Sequence, residues 1–142
     1  MTVRNNARQQ SRHARVSPMW LLYMGDAGLL IASGLIHLHL WDIAYRHVKT
    51  LDVLFLVQVV LTLLAALILL ATRHLLVVVA AAGLMAGTIA GFVLARTAGI
   101  FGFRLTFIST EAYAVMVVEA VAIVLLGITA RLQLKLRAQR GA

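Results

Sequence analysis

Asp26, Ser33 and His37 lie in the first apolar stretch of this sequence, separated by seven and four residues. On a helix that spacing puts all three within about 40° of one another, as a single polar stripe. A carboxyl, a hydroxyl and an imidazole in line can pass protons, hold a cation, or join helices by hydrogen bonds. Gln58 and Glu119 belong to two other apolar runs, seven and eight residues from where those runs begin. At 1.5 Å of rise per residue each sits roughly 10–12 Å deep, and His37 lies about one turn from the matching end of its own run. The three are expected to meet in one half of a helical bundle, with Gly91 at the same level. A carboxylate there is costly unless paired or protonated, which makes Glu119 a candidate functional group. The plainer alternative is a protonated Glu119 bonded to Gln58 or to a backbone carbonyl, serving only to join helices.

The end of the first run is rich in imidazole and aromatic rings: His37, His39, Trp41, Tyr45 and His47. Neutral imidazole is a common transition-metal ligand, and Met116 falls at about the depth of His37. A copper or haem site built from His37, His39, His47 and Met116 is therefore one cofactor reading. Spacing argues against it. Residues two apart on a helix point about 200° apart, so His37 and His39 grip one metal only where the helix breaks. No second helix offers a histidine at matching depth. The alternative is an interfacial belt, with His39 near Asp42 and with Trp41 and Tyr45 at headgroup level.

Gly83, Gly87 and Gly91 repeat every four residues, continued by Ala95 and Gly99. Such a row forms a flat ridge along one side of a helix, where another backbone can approach closely. The ridge suits a dimer face, a flat cofactor, or plain packing inside the bundle.

Elements to position these groups follow from composition. Of 142 residues, 62% are hydrophobic and 13% charged, with a mean hydropathy of +0.94. A soluble domain averages roughly 45–50% apolar, so this chain is too oily for a water-facing fold. Four runs reach the ~20 apolar residues that a bilayer crossing needs: 18–41, 51–72, 75–98 and 111–131. Helix-start signals precede three of them, namely Ser17-Pro18, Thr50 with Asp52, and Ser109 or Thr110 with Glu111. The expected fold is an all-α integral membrane four-helix bundle. Residues 1–17 form a basic tail and residues 132–142 a basic extension of the last helix.

The net charge of +8 comes from clusters at the two ends and in the short gaps. Nothing in the sequence reads nucleic-acid bases, so partners of that kind are excluded in favour of anionic lipid headgroups. With the N-terminus inside, nine Lys and Arg fall on the inner side and four on the outer, which places both termini in the cytoplasm. Asp26 interrupts the apolar run and no small-residue cleavage site follows, so the first span reads as an uncleaved anchor in the plasma membrane. The absence of cysteine rules out disulfides, thiol chemistry and Cys-ligated metal.

Two pieces of the chain, Ile36-His-Leu-His-Leu-Trp41 with the Thr50–Gln58 stretch, and Gly99-Ile-Phe-Gly-Phe-Arg104 leading to Glu111-Ala-Tyr-Ala-Val115, resemble small uncharacterised four-span membrane proteins of actinobacteria. The resemblance spans residues 25–127 in layout. It implies the same four-span topology and a shared outer surface around His37, His39 and Phe101–Arg104. No catalytic residue comes with it. Small multidrug exporters centre a glutamate in helix one, and bis-histidine cytochrome anchors place histidines on facing helices. This chain does neither.

The leading functional expectation is a non-enzymatic membrane protein: an accessory or assembly subunit, or a homo-oligomer packed through the glycine ridge. A second is a proton- or cation-coupled transporter using Asp26, His37 and Glu119. The third is the copper or haem site. An enzyme ranks last, because short loops leave little scaffold for a nucleophile, a base and a watered cavity.

Overall fold

The structure, a computed structural model, describes residues 18–106 and 109–141. The basic tail of residues 1–17, with its Ser17 cap, lies outside them. Four helices follow in order: α1 (Pro18–Leu40), α2 (Leu51–Thr72), α3 (Leu75–Thr97) and α4 (Thr110–Gly141). All four are long and apolar enough to cross a membrane. Among the described residues there is no strand, only an isolated bridge between Ile100 and Phe103.

The second apolar run coincides with α2, whereas the others differ at their ends. α1 passes at Leu40 into a π-helical turn, Trp41–Tyr45, closed by the Arg46 N–H donating to the Trp41 carbonyl at 2.9 Å. α4 continues unbroken past 131 to Gly141, a helix of 32 residues. At 1.5 Å per residue it is about 48 Å long, against a hydrocarbon core of about 30 Å.

The caps are mixed. Ser109 Oγ accepts from the Ala112 N–H at 3.2 Å, as expected for the start of α4. Thr50 contributes its carbonyl to Leu54 but no side-chain cap, because its backbone is turned to φ 72°. Asp52 instead takes the Val53 N–H at 2.7 Å. Between α2 and α3 only Arg73 and His74 intervene. Arg73 takes the left-handed conformation that ends α2, and His74 Nδ1 accepts the Leu76 N–H.

Packing runs around the bundle in the order α2, α1, α4, α3, while α2 and α3 meet only briefly. The α1–α4 seam carries the clearest periodicity. Its buried positions on α4 are Ala112, Val115, Glu119, Ala122, Leu126, Thr129 and Gln133. On α1 they include Tyr23, Asp26, Leu30, Ser33, His37 and Leu40. Steps of three and four alternate throughout both sets, the pattern by which two helices interlock side chains along a shallow crossing.

At the end holding the α2–α3 turn, residues of all four helices close a core that includes Leu30, Leu69, Val78, Met85 and Leu126. Large apolar side chains elsewhere point outward, Leu67 at 65% and Leu76 at 69% exposure among them. So greasy an exterior suits a lipid surround.

Candidate functional site

Away from that core the bundle opens. Beyond Met85 the described part of α3 buries no further residue, and the space between α2 and α3 becomes a cavity of about 450 Å³. Gly83, Gly87 and Gly91 form one wall; Leu54 and Phe55 of α2 stand on another. His37, Gln58 and Glu119 all line it, so the structure brings together the trio read from depth alone. Met116 lines it as well.

The glycines take no part in close packing among the described residues. A Cβ built at any of the three meets nothing within 4 Å, which rules out plain internal packing as the ridge's role within the described chain. Gly99, expected to continue the ridge, lies beyond the end of α3 with φ 84°. Closer helix approaches occur on α1, at Gly25, where a Cβ would stand 3.0 Å from Leu125 Cδ2, and at Gly34, where it would stand 3.4 Å from Leu63 Cδ2. These glycines form no four-residue repeat, which is why the sequence did not single them out.

The polar groups are arranged as follows. Ser33 Oγ donates to Glu119 Oε1 at 3.2 Å. His37 Nδ1 is 3.0 Å from the Ser33 carbonyl. A carbonyl only accepts, so Nδ1 carries a proton, which in the neutral ring leaves Nε2 as an acceptor. Nε2 lies 3.8 Å from Glu119 Oε1, too far for a hydrogen bond. Gln58 Nε2 is buried and has no partner among the described residues. The set resembles a serine–carboxylate–histidine triad only in composition. There the serine hydroxyl is bonded to the imidazole, whereas here it is bonded to the carboxyl and Nδ1 serves a backbone carbonyl.

Aromatic rings lead from His37 to the mouth of the cavity. His37 lies 5.5 Å from Phe55, Phe55 stacks on Tyr45 at 4.4 Å, and Phe103 meets Tyr45 edge-on at 6.0 Å. Tyr45, at the end of the π-turn, is half buried and lines the cavity. Phe103 is delivered by a tight turn in which Phe101 and Gly102 both have positive φ and Ile100 and Phe103 exchange backbone hydrogen bonds of 2.7 and 2.8 Å. Arg96 fastens this segment through bonds to the Leu105 and Thr106 carbonyls at 2.9 and 3.2 Å.

Asp26 is elsewhere. It is fully buried at the opposite end of the α1–α4 seam, taking Thr129 Oγ1 at 2.7 Å, and its Oδ1 has no partner among the described residues. Nearby, Gln133 Nε2 donates to the Tyr23 hydroxyl at 2.6 Å and to the Arg73 carbonyl at 3.2 Å, tying α4 to α1 and to the turn. The Arg73 guanidinium lies 4.8 Å from the centre of the Trp20 ring. Thr129 and Gln133 escaped the sequence reading, although they continue from Glu119 at the same three–four spacing.

The metal reading finds little support in the geometry. His39 and His47 are exposed. His47 Nε2 accepts from Arg46 Nε at 3.0 Å, and Asp42 pairs with Arg46 at 3.2 Å. Among the described residues no three of His, Cys, Asp or Glu cluster as metal ligands.

Fold and site together define a bundle of four helices, each suited to crossing a membrane, with a lateral cleft that has an apolar wall and a polar floor. No protein-family model, curated protein or solved structure matches the chain.

Proposed function

We propose that the chain is a non-enzymatic, multi-pass protein of the plasma membrane, with both termini in the cytoplasm, that receives another membrane component in the cleft between α2 and α3. It would act as an accessory or assembly subunit of a membrane complex, or as a homo-oligomer. The observation that carries this reading is the bare glycine wall: three glycines in register on a helix face where, among the described residues, a Cβ would meet nothing within 4 Å. Flat helix faces of this kind let another molecule come close. The orientation rests on the excess of Lys and Arg in the inner segments.

Replacing Gly83, Gly87 and Gly91 together by leucine should leave the monomer folded, since a Cβ at each meets nothing within 4 Å and the side chains extend into the cleft. It should also strip away whatever protein, lipid or second copy accompanies the wild type in gentle detergent, read by native mass spectrometry. Retention of the same companions would overturn the proposal. A reporter fused after residue 142 that reads as exterior would overturn the orientation.

A proton or cation path through Asp26, His37 and Glu119 is less well supported. Leu30, Ala122 and Leu126, all fully buried, fill the seam between Asp26 and the Ser33–Glu119 pair. Asp26 and Ser33 are seven residues apart on α1, so about 10 Å of apolar packing separates the groups.

A further inference from the structure

Three facts about the cleft narrow its occupant. Its floor holds unsatisfied hydrogen-bonding groups of opposite sense. His37 is 4% exposed and its Nε2 makes no hydrogen bond among the described residues, the Glu119 carboxyl standing 3.8 Å away; Gln58 Nε2 is a buried donor without a hydrogen-bond partner among them. Its volume, about 450 Å³, lies in the range of small-molecule sites. At roughly 30 Å³ per water-sized group it holds about fifteen such groups. Its walls are a flat glycine face and aromatic rings, which favour a ring over a bulky chain.

We infer that the cleft binds a small bilayer-soluble ring compound bearing a hydroxyl, an alcohol or phenol, with that hydroxyl on the His37–Gln58 floor. This rests on the reading of the cleft as a receiving site and names what it receives. A hydroxyl is the smallest head that answers both groups, donating to His37 Nε2 while accepting from Gln58 Nε2. The ring lies between the glycine wall and Phe55. A partner helix suits the floor less well: its backbone donors and acceptors are spent within the helix, and its ~10 Å girth keeps it from the bottom of the cleft.

The test uses the full chain in lipid nanodiscs, with para-trifluoromethylphenol as probe and trifluoromethylbenzene as its hydroxyl-free control. Fluorine NMR reads binding, corrected for uptake into empty discs. The phenol should bind about tenfold more tightly than the control. Gln58→Leu and His37→Phe should each weaken the phenol about fivefold, as expected for one lost hydrogen bond, and leave the control unchanged. Helical circular dichroism and elution volume verify folding, and Gln58→Leu suffices if His37→Phe fails to fold. Gly87→Leu should abolish binding of both probes. Equal binding of phenol and control, or a phenol indifferent to Gln58→Leu, would overturn the inference. If no probe binds but Gly87→Leu dissociates an oligomer, the hydroxyl ligand is wrong and the receiving cleft survives. If Gly87→Leu changes neither probe binding nor assembly, the cleft reading falls too.

Discussion

The α1–α4 seam and the α2–α3 cleft are built from the same apolar alphabet and behave in opposite ways. Along the seam, buried positions alternate in steps of three and four, and three polar pairs bond across it: Ser33 with Glu119, Asp26 with Thr129, Tyr23 with Gln133. Across the cleft, a Cβ at each glycine meets nothing within 4 Å, His37 Nε2 makes no hydrogen bond, and Gln58 Nε2 lacks a hydrogen-bond partner among the described residues. The seam joins its helices through polar pairs between α1 and α4; the cleft has no such pair between α2 and α3 among the described residues. A bundle closed on one side and open on the other has its strength and its recognition in different places.

That contrast can be broken most sharply inside the seam. Leu126 is fully buried in the shared core, so Leu126→Ala should cost about 3 kcal/mol, measured by reversible unfolding in mixed micelles. A loss under about 1 kcal/mol would mean that the seam is not the stabilising element. Next comes a matched pair of glycines. Gly34→Leu forces side-chain atoms against Leu63 and should cost about 2 kcal/mol, whereas Gly87→Leu should leave unfolding unchanged. Equal effects would erase the difference between packed and open faces. The smallest effect belongs to single hydrogen bonds. Ser33→Ala and Thr129→Val should each cost about 0.6 kcal/mol, typical of polar pairs between helices in membranes. Losses above 2 kcal/mol would make these pairs the main fastening instead of a supplement to apolar interlock.

Much of this division was readable from the sequence, and the exceptions have physical reasons. Span number followed from run length, and the meeting of His37, Gln58 and Glu119 followed from counting residues, because rise per residue is fixed. The partner of Asp26 did not follow. Thr129 is one of many threonines by type, and only the neighbouring helix singles it out. The glycine row was visible, yet repetition says that a face is flat and not what covers it. Whether α3 leans on α2 depends on the sum of many small contacts, and no motif records that sum. The half-burial of Tyr45 was not legible either, because no motif marks the π-turn by which the chain departs from a regular helix after Leu40.

That departure has a design consequence. Continuing the α1 seam by a step of four from Leu40 would bring Ala44 inward, yet Ala44 is exposed and Tyr45 is half buried. The wider turn has advanced the register by one residue, exchanging a methyl group for a phenol ring at the mouth. Insertion or loss of a single residue in this turn would thus work as a selector, changing which side chain guards the opening while the paired helices below keep their alignment.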